Sequence, residues 1–327
     1  LEETGEQNIF DYLKHELHTR NHPALDELPS FTGGTVGYLA YENIALIEKK
    51  LKFESGDDDI CDSILGVYDT VLAFDHYKHQ LIIITNVEIK KGDAVEVLYA
   101  DAKKKIRELR KTLSVPLSFE SDFTFDRNVG ESLSDEVFCE LVEASKQNII
   151  HGDVFQIVLS KRFTAGYEGD LFNVYRALRI INPSPYMYFL EFENGLTIIG
   201  TSPENLVKVK DGIVEVMPIA GTRKRGATPE ADKKLEEDLM NDPKEIAEHV
   251  MLVDLGRNDV GRVAEYGSVE VTEKMKIHRF SHVMHIVSKV QGKLRSDKDC
   301  IDALKSCFPA GTVTGAPKIR AMELISG

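Results

Sequence analysis

The stretch from Pro218 to Val263 decides how this chain folds: it begins PIAGTRKRG and, after a charged segment, ends DPKEIAEHVMLVDLGRNDVGRV. Valines that alternate with polar residues just before it predict a strand over 213–217. Gly221 lets the backbone come close to a ligand, and Thr222 adds a hydroxyl group. The basic run 223–225 adds positive charge. Together these residues indicate a site for an anionic small molecule, although an ordinary β-turn with a solvated basic tip has the same pattern.

The end of this stretch predicts a helix that carries two glutamates. Asp242 is suited to cap it, Pro243 to occupy its first position, and Glu245 follows the cap at a spacing of three. Glu245 and Glu248 then share one helical face, where like charges repel, and a hard divalent cation with oxygen ligands would compensate them. Glu245 could instead act only in capping, and Glu248 could be a surface residue. The apolar run Val250 to Val253 favours a Glu248 that is drawn inward.

Composition limits the class of protein. The chain has 327 residues, is 42% hydrophobic and 29% charged, and carries a formal net charge of -14. These values are typical of a globular protein that is not membrane-embedded, and the acidic balance argues against nucleic acid as the main partner. No apolar run reaches the length of a membrane span, and the N-terminus lacks a signal peptide's apolar core. The four cysteines form no CxxC pair, so we expect reduced thiols in a cytoplasmic protein. They are Cys61, Cys139, Cys300 and Cys307.

The order of predicted elements favours an α+β fold over a doubly wound parallel sheet, because hairpin-like strand pairs alternate unevenly with helices. Helices are predicted over 8–20, 93–112 and 134–151, with Ser134 as the cap of the third. Strands are predicted over 65–74, 80–87, 154–163, 186–193, 196–200 and 205–209. The glycine-rich segment 31–41 predicts tight strand crossings, and 114–128 is the best linker.

Eight sequence blocks in a fixed order carry a resemblance to a known family. They are LPSFTGGTVGYLAYE (28–42), GDVFQIVLSKRF (152–163), NPSPYMYFLEF (182–192), GTSPENLVKV (200–209), PIAGTRKRG (218–226), DPKEIAEHVMLVDLGRNDVGRV (242–263), RFSHVMHIVSKVQGKL (279–294) and FPAGTVTGAPKIRAMELI (308–325). In these blocks the chain resembles the chorismate-utilising enzymes and, within them, the large subunits of anthranilate synthases. The resemblance covers roughly 29–327.

This resemblance implies a fold and a domain division. Family members pack two large, mostly antiparallel β-sheets as a sandwich with outer helices, and we expect an incomplete version of that architecture here. Residues 1–115 would be the N-terminal part of the large subunit and 116–327 the chorismate-binding catalytic region. We expect the chain to be truncated at both ends, because segments typical of the family are absent before the first block and after the last.

The resemblance also implies an activity, a metal and partners. The implied reaction converts chorismate and ammonia to anthranilate and pyruvate, with Mg²⁺ as cofactor. A glutamine amidotransferase subunit would supply the ammonia, and tryptophan would inhibit the enzyme. The alternatives are the large subunit of an aminodeoxychorismate synthase, and a non-catalytic module of the same fold that senses tryptophan or binds a partner.

The family pattern assigns roles to individual residues. Glu204 matches the general acid, although the residue alone would be read as an ordinary strand-end glutamate. Glu248 matches a magnesium ligand and Glu245 its outer-shell support. His285 matches a histidine near the ring carboxylate and the leaving group; if its segment were helical, His282 would lie one turn away.

Two positions distinguish the branches of the family. Gln156 stands where water-adding relatives carry a lysine base, and an amide cannot act as that base. Ala220 stands where many aminodeoxychorismate synthases carry a lysine nucleophile, which alanine cannot replace. Both residues therefore favour the anthranilate branch, with Gln156 counted among the catalytic residues and Ala220 among the substrate contacts.

The remaining assignments concern ligand contacts. Gly221, Thr222 and Thr312 match contacts to the substrate. The NPSPYM segment resembles one wall of a tryptophan pocket, although from its composition alone it is a proline-rich turn before a strand. Its assigned inhibitor contacts are Pro185, Tyr186 and Met187.

Overall fold

The computed structural model describes residues 8–23, 25–53, 60–117 and 122–326. In this described part the α-helices are α1 (Ile9–Thr19), α2 (Val95–Thr112), α3 (Asp135–Ile150), α4 (Phe172–Ile181), α5 (Pro229–Asn241), α6 (Pro243–Gly261), α7 (Cys300–Cys307) and α8 (Lys318–Ser326). Two 3₁₀ helices cover Tyr41–Leu46 and Gly311–Val313. No helix among these residues is both long and apolar enough to cross a membrane.

The strands are short except for two neighbouring strands, Glu270–Arg279 and Val283–Lys293. They are β1 (Gly34–Leu39), β2 (Ser63–Tyr68), β3 (Thr70–Asp75), β4 (Gln80–Thr85), β5 (Phe123–Phe125), β6 (Gly130–Glu131), β7 (Gln156–Ile157), β8 (Phe163–Thr164), β9 (Tyr167–Gly169), β10 (Tyr186–Glu191), β11 (Thr197–Ser202), β12 (Lys208–Lys210), β13 (Ile213–Val216), β14 (Ile219–Lys224), β15 (Glu270–Arg279), β16 (Val283–Lys293) and β17 (Gly315–Ala316).

The chain divides into two compact units. One comprises Leu1–Ala40 and Asp58–Ser121, and the other comprises Tyr41–Asp57 and Asp122–Gly327. The first unit holds α1, α2 and the antiparallel pairs β1–β2 and β3–β4. The second holds all the assigned site residues. The sequence-based division between 115 and 116 stays a prediction.

The largest sheet of the second unit is antiparallel and centred on β16. Its strands run β12–β13–β16–β14, with β15 also paired to β16. Side chains of β16 alternate between buried and half-buried along much of the strand, as expected of a sheet with one covered face. The described strands outside this sheet form two-stranded antiparallel pairs. This mixture of helices and antiparallel strands confirms the α+β class.

Helix α6 covers the sheet and brings its own polar residues to it. Asp242 caps the helix by accepting N–H bonds from Lys244 and Glu245 at 3.0 and 3.3 Å, and Pro243 begins it, as predicted. Val260 is fully buried among Val214, Val216 and Val290 of the sheet. A second apolar cluster joins α5 to the sheet through Leu239, Met284 and Ile286. Burial of each such side chain contributes about 1.5–3 kcal/mol, and these contacts hold α5 and α6 against the sheet.

Several predicted elements hold and others are wrong. The helices α1, α2 and α3 form as expected, and Ser134 caps α3 by accepting the N–H of Val137. The long strand over 154–163 is wrong, because only its two ends pair, as β7 with β17 and β8 with β6. The helical alternative for 279–294 is wrong as well, since this segment contains β16. In the linker segment, 118–121 lie outside the described residues, while β5 pairs with β9.

Candidate active site

Glu204 lies two residues beyond β11 and is held there from both sides. Its backbone N–H donates to Ser202 Oγ at 3.2 Å, and Ser202 Oγ–H donates back to the Glu204 carbonyl at 3.0 Å. Its side-chain Oε2 accepts a hydrogen bond from Thr312 Oγ1 at 3.0 Å. Burial raises the pKa of Glu204 to about 7, and the Thr312 bond lowers it only in part. A carboxyl group with this pKa stays substantially protonated near neutral pH and can donate a proton.

The Glu204–Thr312 pair lines a small cavity of about 40 Å³. The cavity wall also includes Leu252 and Gly256 of α6, which supply the apolar surroundings that desolvate the carboxyl group. Residues 308–310 link Cys307, the buried last residue of α7, to the 3₁₀ helix that presents Thr312. Glu204 therefore faces a small cavity in surroundings that disfavour its ionised form.

Gln156 and Glu248 form a second contact. Gln156 Nε2 donates to Glu248 Oε1 at 3.3 Å, from β7 to α6. Strand β7 is positioned by β17, where Ala316 stands opposite Gln156. Gln156 Oε1 is buried and has no hydrogen-bond partner in the described structure. An orphaned acceptor beside a carboxylate is expensive unless a ligand satisfies it.

Gly221 and Glu245 meet where β14 carries a bulge. Gly221 has φ +70°, a conformation that favours glycine, and a Cβ atom there would lie 3.2 Å from Glu245 Oε2, a tight contact. The register of β14 against β16 shifts between Ala220 and Thr222. Glu245 Oε1 lies 3.5 Å from Arg223 Nη1. Glu245 is therefore anchored to the strand and is not the reciprocal half of a capping box, since the Asp242 N–H bonds to Leu239 O.

Thr222 and His285 stand opposite each other on β14 and β16. His285 Nδ1 lies 3.1 Å from the Gly221 carbonyl oxygen and 3.0 Å from Thr222 Oγ1. A carbonyl can only accept, so Nδ1 carries a proton and donates it to the Gly221 carbonyl. Phe280 packs edge-on against the ring, with 5.5 Å between centroids. The histidine is thus fixed in both orientation and tautomer.

The other assigned residues make none of these contacts: one is buried in the core under the site, and three lie at or just before the start of β10. Ala220 is buried at the bulge opposite Ile286, so its side chain belongs to the core layer under the site. Pro185 and Tyr186 are exposed, and Met187 is half-buried at the start of β10. Strand β10 pairs with β11, which leads to Glu204.

Two residues of the basic run 223–225 are paired within the chain. Arg223 contacts Asp238 at 2.6 Å and Asp242 at 2.9 Å, in addition to Glu245. Arg225 contacts Asp232 at 2.9 Å. Carboxylates of the chain itself therefore neutralise these two arginines, which fasten β14 to α5 and to the start of α6.

Two buried polar pairs were not anticipated from the sequence. Lys318 Nζ donates to Asp259 Oδ2 at 2.8 Å, with both side chains at most 10% exposed. His249 Nε2 lies 2.6 Å from Ser288 Oγ, and burial lowers the pKa of this histidine to about 4. Single lysines and histidines in a sequence give no signal of burial. The apolar spacing of α6, which includes positions 249 and 259, was the one available hint.

A magnesium ion is compatible with the residues present. No group of three or more His, Cys, Asp or Glu side chains within the described ranges could hold a metal ion alone. Mg²⁺ commonly uses one or two protein carboxylates together with water and substrate oxygens. Glu248 fits that mode, because it is half-buried and its nearest partner is a neutral amide. Glu245, one turn earlier on α6, fits an outer-shell position.

Comparison with known proteins identifies the family. The sequence matches the chorismate binding enzyme family over residues 2–327, and the chain belongs to this family. Anthranilate synthase component 1 of Acetivibrio thermocellus is 48% identical over 309 residues, which are 92% of this chain and 62% of that protein. The protein of the same name from Aquifex aeolicus (strain VF5) is 46% identical over 305 residues, which are 92% of this chain and 61% of that protein. The chain thus spans about three fifths of the length of these relatives.

A solved structure extends the likeness to the fold. The crystal structure of anthranilate synthase component I from Streptococcus pneumoniae TIGR4 superposes with a TM-score of 0.83 at 40% identity. The match covers 98% of this chain and 70% of that one. The chorismate-utilising fold and the family resemblance are therefore confirmed.

Proposed function

We propose that this chain is the chorismate-converting part of an anthranilate synthase component 1, a lyase that forms anthranilate and pyruvate from chorismate and ammonia. Ammonia adds at C2 of the ring and the C4 hydroxyl group leaves as water; the enolpyruvyl group then leaves as pyruvate and the ring becomes aromatic. The names and identities of the relatives support this branch. The observation that carries the proposal is the Thr312–Glu204 contact.

Glu204 is the proposed general acid for departure of the C4 hydroxyl group. Its pKa of about 7 leaves it protonated in a useful fraction near neutrality. Thr312 Oγ1 holds Oε2 at 3.0 Å, which leaves Oε1 to face the leaving oxygen. Positioned proton transfer of this kind contributes about 10²–10⁴ in rate.

Gln156 is the proposed residue that receives ammonia. Its Oε1 is an acceptor without a partner in the described structure, and an N–H of the incoming nucleophile would satisfy it. The amide has no basic nitrogen with which to deprotonate water, which disfavours formation of isochorismate. Ala220 has no nucleophilic atom, which disfavours the covalent route of the aminodeoxychorismate branch. A non-catalytic module would have no use for either the acid or the orphaned acceptor.

Glu248 is the proposed magnesium ligand, with Glu245 behind it. A magnesium ion bound there would neutralise the carboxylate groups of chorismate. Arg223 orients Glu245, and the Asp242 cap orients the first turn of α6, which carries Glu245. Thr222 and His285 are proposed to contact the substrate with a hydroxyl group and a ring whose tautomer the Gly221 carbonyl fixes.

A glutaminase partner is proposed as the source of ammonia, because little free ammonia exists at neutral pH. Two of the four thiols are poor nucleophiles: burial raises the pKa of Cys307 to about 12, and partial burial also raises that of Cys300. The proposed reaction belongs in the cytoplasm. We expect the enzyme to use ammonium by itself but to use glutamine only when a glutaminase subunit is added. Use of glutamine without any partner, at a rate equal to that with ammonium, would contradict the proposal.

Tryptophan is proposed to bind at Pro185, Tyr186 and Met187. Tyr186 stands opposite Ser202 across the β10–β11 pair, and Ser202 Oγ is bonded to the Glu204 backbone. A ligand that packs on Tyr186 could therefore shift β11 at Ser202 and, through the bond from Ser202, shift Glu204, the proposed acid. Calorimetric titration tests the site: Tyr186→Ala should weaken tryptophan binding by at least about tenfold, and an unchanged affinity would place the ligand elsewhere.

The product of the reaction tests the whole proposal. The full product of the reading frame that encodes this chain is incubated with chorismate, magnesium and ammonium, and the products are separated by chromatography. Anthranilate and pyruvate in equal amounts are expected. Aminodeoxychorismate as the main product would support the sibling branch, and no conversion of chorismate would support the binding module.

A further inference from the structure

A buried lysine joins three helices at the base of the loop that builds the proposed site. Lys318, the first residue of α8, donates from Nζ to Asp259 Oδ2 of α6 and to the carbonyl oxygen of Cys307, the last residue of α7. Both distances are 2.8 Å, and the lysine side chain is 9% exposed. Ser306 Oγ adds a third link by donating to the Asp259 carbonyl at 2.9 Å. The two ends of the 308–317 loop, at Cys307 and Lys318, are therefore tied to each other and to α6.

The loop held in this way contacts both halves of the proposed site. Near its middle, Thr312 donates to Glu204. Near its end, β17 pairs with β7, so that the N–H groups of Phe155 and Val158 donate to loop carbonyls at 2.7 and 2.9 Å. These bonds flank Gln156, the residue proposed to receive ammonia. Asp259 and Cys307 also line the same cavity as Glu204.

We propose that Lys318 and Asp259 form a positioning pair that sets the 308–317 loop and thereby aligns the proposed acid with the proposed ammonia-binding amide. The inference rests on the proposed function. Neither residue touches the reacting atoms; each acts through the loop. The pair has a geometric role, because the ammonium group of Lys318 bonds both the carboxylate of α6 and the carbonyl end of α7.

The energy of a buried ion pair argues that Lys318 and Asp259 fix an orientation and add little to stability. Two charges removed from water lose hydration that their attraction repays only partly, and apolar residues of similar volume often stabilise a core as well or better. Burial raises the pKa of Asp259, and the neighbouring Lys318 offsets part of that rise. A pair retained at this desolvation cost fixes an orientation that apolar packing would leave free.

The test replaces the pair as a unit in the full product of the reading frame. Lys318→Met with Asp259→Leu removes one positive and one negative charge together and leaves an apolar core. The control is Arg257→Met with Asp254→Asn, which removes an ion pair of 3.1 Å from the exposed face of the same helix α6. Steady-state rates with chorismate and ammonium, and melting temperature, are measured for both.

Positioning predicts a specific split. The buried double variant should melt close to the wild-type protein and keep its KM for chorismate within about threefold, while kcat falls by about tenfold or more. The control should keep both constants. A folded double variant with wild-type kcat would overturn the proposal. If the pair only stabilised the fold, a variant with wild-type stability would keep its wild-type kcat.

Hydrogen exchange supplies a readout that does not depend on the reaction. In the buried double variant, the amides of Phe155 and Val158 should exchange at least about tenfold faster, while those of the β16 core stay protected. Exchange rates equal to the wild type would overturn the proposal even if the chain proved to have another activity. Should the double variant not fold, Asp259→Asn keeps the side-chain size and should lower kcat at unchanged KM; unchanged kcat in that variant would also overturn the proposal.

Discussion

Thr312 donates a 3.0 Å hydrogen bond to Glu204, although 108 residues separate the two in the chain. This bond joins the end of β11 to the loop that precedes α8, and it orients a carboxyl group whose pKa burial raises to about 7. The two effects have different purposes. Burial keeps the proton on the acid, and the hydroxyl group fixes the oxygen that does not donate it.

Replacing Glu204 tests the proposed acid. Glu204→Gln keeps the size of the side chain and an acceptor for Thr312, but it removes the acidic proton. We expect kcat to fall about 10²–10⁴-fold with KM for chorismate little changed. In the wild-type protein kcat should also fall as pH rises through about 7, because the acid is then ionised. Glu193→Gln, at an exposed position beyond β10, is the control, and equal effects of both changes would remove the assignment.

The same carboxyl group should make stability depend on pH. Its pKa rises from an ordinary 4.5 to about 7 on folding, so between these values the folded chain binds more protons than the unfolded chain. Stability therefore falls as pH rises through this window. Glu204→Gln removes the effect and should gain about 1–3 kcal/mol relative to wild type between pH 5 and pH 8, allowing for partial solvation. Urea denaturation at both pH values measures the difference, and a constant difference would show that the pKa is not raised.

The two glutamates of α6 should differ in their effect on magnesium. Glu248→Gln removes the proposed ligand and should raise the magnesium concentration needed for half-maximal activity by more than about 100-fold. Glu245→Gln removes an outer-shell group and should raise it by about 10–100-fold. Asp254→Asn, an exposed carboxylate on the same helix, should leave it unchanged. A larger effect at Glu245 than at Glu248 would reverse the two roles.

Gln156 should govern the use of ammonia. Gln156→Leu removes both the orphaned acceptor and the contact with Glu248, and we expect kcat/KM for ammonium to fall about 10–100-fold, which corresponds to about 1–3 kcal/mol. The KM for chorismate should change much less. The matched control is Gln147→Leu on the exposed face of α3. An ammonium dependence like that of the wild type would mean that the nucleophile is received elsewhere.

Local signals predicted much of this fold, and contacts distant in sequence account for what was missed. The start of α6 followed from Asp242 and Pro243, because capping depends on neighbouring residues. The strand over 154–163 was wrong because β7 exists only through its pairing with β17, far along the chain. In the same way, nothing near Lys318 in the sequence indicates that its side chain pairs with Asp259 in the core.

The residues of the candidate site were chosen through family motifs, and their grouping came from the structure. Physical reasoning from sequence could place Glu245 and Glu248 on one face of a helix. It could not place Thr312 against Glu204, nor find that acidic residues of the chain neutralise Arg223 and Arg225. Charge seen in a sequence is available to a ligand only where the fold leaves it unpaired.

The mass of the aromatic product formed with ¹⁵N-labelled ammonium tests the central claim most directly. The full product of the reading frame is supplied with chorismate, magnesium and labelled ammonium as the sole nitrogen source. We predict anthranilate that carries one ¹⁵N atom, with one pyruvate released for each. Unlabelled isochorismate or salicylate as the main product would contradict amination at this site.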